Sequence, residues 1–110
     1  MKKFQLGEFE EIVLLTVGIL HGNAYGITIK DEIENRLGRE VSVGALQTTL
    51  RRLEKKGFLE SEHGDSIESR GGRPKLYFTI TAYGKKAIGY TRETRNELWK
   101  SLPQAVLKLG

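Results

Sequence analysis

The chain has no cysteine, which excludes disulfides, thiolate metal sites and cysteine nucleophiles. Its longest apolar stretch, Ile12–Leu20, is nine residues, about half of the roughly 20 that a membrane-spanning helix needs. Only Met1-Lys2-Lys3 precedes the first apolar segment and no small-residue cleavage site follows, so no signal peptide is expected. A soluble, cytoplasmic protein without a membrane partner is expected. There is no phosphate-binding loop and no nucleophile elbow. The two histidines, His21 and His63, stand apart. The nearest approach to a metal cluster is His63 with Glu62, Asp65 and Glu68, whose spacing fits no standard ligand pattern. The sequence therefore reads as a non-enzyme with no cofactor and no metal.

What is present fits one small domain. The length is 110 residues, and Leu, Ile, Val and Phe account for 31 of them, enough for a folded core. A core this small often gains buried area by oligomerising. Net charge is +4, and its distribution says more than its size. Residues 39–56 carry +3 and residues 69–86 carry +5, on either side of an acidic block of −4 at 57–68. If the two basic blocks share a face, they form a footprint for a polyanion.

Helix one is expected from Gly7 to His21, with Glu8, Glu10 and Glu11 in its first turn, where acids suit the helix dipole. Helix two should cover Tyr25 to Leu37, with Ile29, Ile33 and Leu37 inward and Gly38 as its stop. Helix three should run from a Ser42 cap to a Gly57 stop, with Val43, Leu46, Leu50 and Leu53 as its core stripe. Phe58–His63 and Lys75–Thr81 alternate as two strands of a hairpin. Thr81 should cap a last helix from Ala82 to about Leu102. Pro103 should end it, and a Ser101/Gln104 capping box should start a short turn over Ala105–Leu109.

The fold class implied is mainly α with a small β-hairpin. Residues 1–81 form a winged helix-turn-helix DNA-binding unit, followed by a dimerisation helix at 82–110. A recognition helix presents its N-terminal residues to the major groove; here these are Ser42, Gly44, Ala45, Gln47 and Thr48. Gln47 suits an adenine edge. Arg51, Arg52 and Lys55 lie further along the same face and suit phosphates. Arg70, Arg73 and Lys75 place a second cationic group on the wing. Taken singly, these features are ordinary: a cationic helix face is usually just solvated, and Gly71-Gly72 is usually just a turn. Their combination points to double-stranded DNA.

Ser42-Val-Gly44-Ala-Leu46 followed by Leu50-Arg-Arg52-Leu53-Glu54-Lys-Lys-Gly57 resembles the recognition helix of the PadR family of winged-helix repressors. Leu14-Leu15, Gly22, Tyr25-Gly26 and the run Gly72-Arg73-Pro74-Lys75-Leu-Tyr77-Phe78-Thr-Ile80-Thr81-Ala-Tyr-Gly84 are similar to that family's first helix and wing. The resemblance spans about residues 6–90. It implies a homodimer, operator binding, and repression relieved by a small molecule. The family often has an aromatic where this chain has Gln47, so contacts made by that aromatic do not carry over.

The last helix supports a dimer in its own right. Ile88, Leu98, Leu102, Ala105 and Leu109 fall near heptad spacing, beside Trp99. Short family members resemble this chain in packing such a helix on helix one of the second subunit. Val13, Val17, Ile88, Leu98, Trp99 and Leu102 are therefore expected at the interface. Two roles stay open for Trp99: a plain anchor, or a platform for a flat aromatic effector, as the resemblance suggests. Two other classes compete. A winged-helix protein-interaction module without sequence-specific DNA binding would need an exposed apolar patch on the recognition face. An RNA binder would need a stacking surface, for which only Tyr77 and Phe78 are available.

Overall fold

The computed structural model describes residues 2–66 and 74–108. A short 3-10 turn (Lys2–Phe4) leads into α1 (Glu8–Ile19). Then come α2 (Gly26–Leu37), α3 (Val43–Lys55), strands β1 (Leu59–Ser66) and β2 (Pro74–Ile80), α4 (Ala82–Lys100) and a four-residue α5 (Gln104–Leu107). Helix α1 is central: α2, α3, α4 and β2 all pack on it. That is why it is apolar almost all round, with Val13, Leu14 and Val17 buried. The core continues through Ile29, Ile33, Leu46, Leu50, Leu53, Phe58 and Phe78.

The local signals place most boundaries. Ser42 Oγ accepts the Ala45 N–H at 3.0 Å, and Thr81 Oγ1 accepts the Gly84 N–H at 2.9 Å. Both are N-caps that satisfy an otherwise orphan helix donor. Gly38 and Gly57 take positive φ after α2 and α3, which glycine adopts without a Cβ penalty. The strands pair antiparallel, Leu59 opposite Ile80 through His63 opposite Leu76, with an irregularity before Ser66 opposite Pro74. The wing root is also tied inward: the Phe78 N–H donates to the Ala24 carbonyl at 2.8 Å.

Several expectations need correction. Val13 and Val17 are 0% and 2% exposed within one chain, so they face its own core and leave no surface for a partner. The apolar residues that α1 does expose are Leu15 and Ile19. Val43 is not core: it is 61% exposed, because it stands on the rim of an open cleft. Thr49 takes the buried position instead. Leu37, in the last turn of α2, is also exposed. Helix α4 ends at Lys100, and Ser101 Oγ donates back to the Glu97 carbonyl rather than capping α5, which starts after Pro103. Leu102 and Ala105 therefore do not continue the α4 heptad series; Leu109 lies outside the described residues.

One buried carboxylate was not foreseen as such. Glu10 is 7% exposed. Its Oε1 accepts the Gly7 N–H at 2.7 Å, and its Oε2 accepts from Lys56 Nζ at 2.8 Å. It joins the start of α1 to the end of α3. Burial raises its pKa. The Lys56 and Gly7 hydrogen bonds and the charges of Lys56 and Arg52 outweigh burial and leave it below the usual 4.5. A depressed folded-state value adds stability that is fully present above pH 4.5 and is lost as pH falls through the lower folded value. Glu10→Gln is expected to cost about 1–3 kcal/mol at pH 7. It should also flatten the loss of stability that the native chain shows below pH 4.5, as read by urea melts at pH 7 and in mild acid. Parallel pH profiles for the two proteins would refute this role.

Candidate nucleic-acid interface

The turn between α2 and α3 sets how α3 is presented. Glu34 in the last turn of α2 accepts the Val41 N–H at 2.9 Å and bonds Lys30 Nζ at 3.1 Å. The Val41 N–H first, and Lys30 second, hold its carboxyl below the usual carboxylate value. Val41 itself is buried. The turn is thus clamped by a charge-assisted bond and an apolar anchor.

Helix α3 buries Leu46, Thr49, Leu50 and Leu53. The opposite face is open: Ser42, Gly44, Ala45, Gln47, Thr48, Arg51, Arg52 and Lys55 are all exposed. The four cations at and just beyond the C-terminal end of α3 are not equivalent. Lys56 is taken by Glu10, whereas among the described residues Arg51, Arg52 and Lys55 form no ion pair. The face is therefore small and polar at its N-terminal half and carries uncompensated positive charge at its C-terminal half.

The wing root stands beside the first turn of α3. Leu76 and Phe78 of β2 line one cleft of about 260 Å³ together with Tyr25, Ile27, Val43 and Gln47. Lys75 Nζ sits 4.1 Å from the centre of the Tyr25 ring, a cation–π contact. Tyr77 meets the same ring edge-on, with centroids 5.4 Å apart. Lys75 is therefore held over the start of α2, on a ring that lines the same cleft as Val43 and Gln47 of α3. Arg70 and Arg73 lie outside the described residues.

The residues expected at a subunit interface fall on another face. Ile88 is partly buried, and Leu98, Trp99 and Leu102 are exposed. Ile88 and Trp99 share a groove of about 490 Å³ with Leu15, Arg92 and Arg95. Leu15 is the α1 residue that sequence reasoning missed. In a helix apolar all round, periodicity does not tell which side is covered. Among the described residues no group of three His, Asp or Glu side chains is placed to hold a metal ion, and Glu68 lies outside them. No described helix is long and apolar enough to cross a membrane.

Three helices with a clamped turn, followed by a two-stranded wing lying beside the third helix, make a winged helix-turn-helix protein. The chain belongs to the transcriptional regulator PadR-like family, whose profile matches residues 14–90. Its fold is similar to that of a PadR-like transcription factor from Bacteroides fragilis (26% identity, TM-score 0.73, covering 92% of this chain and 89% of that one). It is also similar to hsRosR in its complex structure hsRosR-S1 (25% identity, TM-score 0.73, 93% and 83%). A PadR family regulator from Eggerthella lenta shares the fold at 23% identity (TM-score 0.69, 94% and 88%). No curated protein matches the sequence. Family and fold are those of transcriptional regulators rather than enzymes.

Proposed function

We propose that the chain is a homodimeric DNA-binding repressor. Residues 1–81 contact DNA and residues 82–110 hold the subunits together. The observation that carries this reading is the exposed face of α3, small and polar where base edges would lie and cationic beyond, with Lys75 of the wing held on Tyr25 at the adjoining cleft. One α3 per subunit enters the major groove of each half of a pseudo-palindromic site, the half-sites about one helical turn apart or somewhat more. Gly44 and Ala45 allow close approach, Gln47 pairs with an adenine edge, and Ser42 and Thr48 reach bases or phosphates. Arg51, Arg52, Lys55 and, from the wing, Arg70, Arg73 and Lys75 neutralise phosphates. A flat aromatic effector stacking near Trp99 in the groove between α1 and α4 would release the DNA by altering the subunit contact. Such a protein works in the cytoplasm, on the nucleoid.

Selection of bound fragments from genomic DNA would give the site, and fluorescence anisotropy on that site tests the face. Arg52→Ala is expected to weaken binding to all sequences alike and to lower the salt slope by about one unit. Gln47→Ala is expected to cost ~1–3 kcal/mol and to relax one base-pair position. A footprint and salt slope unchanged by both substitutions would mean that another face binds. A protein-interaction role gains one observation: Ile27 and Val43 put apolar surface on this face at 56% and 61% exposure. On a protein-binding module, operator preference over random DNA would be missing.

A further inference from the structure

The apolar surface of the cleft beside the recognition helix is not accounted for by phosphate binding or by Gln47 pairing. Its floor is Leu46 and Phe78, both buried, and its rim is Ile27, Val43 and Leu76, all exposed. Val43 is the first residue of α3, and Ile27 the second of α2. These are large apolar side chains left in water on a face otherwise small, polar or cationic. The chain had the option of burying Val43 on the stripe that holds Leu46 and Leu50, and does not use it.

We infer that this cleft reads the C5-methyl groups of thymines through Val43 and Ile27. The inference rests on the reading of α3 as the recognition helix. The first turn of such a helix is where base edges lie, and of the four bases only thymine shows a methyl group in the major groove. The charge beside the cleft fits the same occupant: Lys75, which forms no ion pair among the described residues, is held there on the Tyr25 ring, whereas Lys30 on the cleft wall is engaged by Glu34. Gly26, also on the cleft, lets the duplex come close. A Cβ there would face only the Gln47 amide nitrogen, at 3.6 Å. Gln47 lines the same cleft, and its preferred partner is adenine. A thymine methyl beside Val43 and an adenine edge at Gln47 both select A·T pairs, so one cleft specifies a short A·T step in each half-site.

The experiment replaces thymine by uracil, position by position, in the operator recovered from genomic selection, and measures affinity of the full chain by anisotropy. Uracil removes the methyl and leaves the pairing and the phosphates intact. Burial of one methyl corresponds to about a fourfold change in affinity. The expected result is a loss of that size at one or two positions per half-site, with an unchanged salt slope. Val43→Ala should abolish the loss at one of them, and Ile27→Ala should weaken it at that position or its neighbour. Both residues are exposed, so the melting temperature of each variant serves as the check on folding. Equal affinity for thymine and uracil at every position, with operator preference retained, overturns methyl reading and leaves the DNA-binding reading standing; the cleft would then belong to a protein partner or an effector. Discrimination undiminished in both variants overturns it as well. Absence of any preference for the operator over random DNA overturns both readings together.

Discussion

Gly84→Ala is expected to destabilise the domain severely, although it replaces glycine by the best helix former inside a helix. Alanine is normally favoured there by up to about 1 kcal/mol. The surroundings reverse the sign. A Cβ on Gly84 would lie 2.2 Å from the Phe58 carbonyl oxygen and 3.0 Å from Ile80 Cγ2. The Phe58 oxygen is backbone and cannot swing away. It also accepts the Thr81 N–H at 3.1 Å, while Thr81 Oγ1 donates to the Gly57 carbonyl at 2.6 Å. The first turn of α4 is thus bolted onto the α3–β1 junction at the point where the new methyl would fall. Relief requires lifting α4 off Phe58, which is fully buried. Forced overpacking costs about 1–3 kcal/mol and more where backbone must move, so a loss of at least about 3 kcal/mol is expected, of the roughly 5–15 that hold such a domain. That corresponds to a fall of about 10–20 °C in Tm. Gly44→Ala is the control, because a Cβ there meets nothing within 4 Å. Its Tm should hold or rise slightly. Equal melting of Gly84→Ala and the native chain would show that the helix–junction contact is not rigid.

This contact also marks the boundary of what the sequence makes legible. The elements are written locally. Ser42 and Thr81 are capping residues before periodic segments, Gly38 and Gly57 follow them, and the alternation at Leu76–Thr81 marks a strand; each rests on chemistry within four residues. The α3 face is legible for the same reason, since a 100° step sorts Gly44, Thr48, Arg52 and Lys55 onto one side. What needs a neighbour in space is not legible. Nothing within four residues of Gly84 announces Phe58, 26 positions earlier, and nothing near Glu10 announces Lys56.

Helix α1 shows the limit most clearly. Its apolar residues cover nearly the whole circumference because four elements pack on it. Amphipathicity therefore carries no information about which side faces out, and Val13 and Val17 read as interface candidates when they are core. Val43 fails in the opposite direction. It has the right spacing for the α3 stripe, but it lies on the rim of the cleft against α2 and β2, where the packing that buries Leu46 stops short. Periodicity gives the angle of a side chain around its helix and says nothing of where along the axis the neighbouring elements stop. Glu34 shows the same limit: its role as clamp of the turn depends on the chain doubling back at Gly38, so that Val41 returns to it.

Leu98→Asp is expected to convert a dimer into monomers and to lower operator affinity by at least about 100-fold. Helix α4 leaves much of its length uncovered. The molecule measures 59 × 29 × 22 Å, longer than a domain of this size needs to be, and residues 92–100 of α4 are all exposed. Leu98 and Trp99 are 67% and 65% exposed. Leu15, Ile88 and Trp99 line the groove between α1 and α4, and Leu98 and Leu102 line an adjoining hollow that shares Trp99 with it, apolar surface of the kind that marks an interaction site. The groove is held in shape by Arg95 Nη2 donating to Glu11 Oε1 at 2.8 Å, across the two helices. A second copy of α4 laid over the groove and the adjoining hollow would cover these residues on both chains at once, as an isologous contact requires. A carboxylate at position 98 would then be buried without a partner, which such contacts do not tolerate. Because the residue is exposed within one chain, the single subunit should keep its helicity. Sedimentation should report the 12.4 kDa chain instead of twice that mass. Affinity for an isolated half-site should be unchanged, while affinity for the full operator collapses, because two linked half-site contacts exceed one by about 10²–10⁴. The companion variant Trp99→Ala separates anchor from platform. A platform loses affinity for a planar dye while the dimer persists, whereas an anchor loses the dimer in step with the dye. A Leu98→Asp chain that sediments like the native one would move the subunit contact away from α4, and the assignment of residues 82–110 to dimerisation with it.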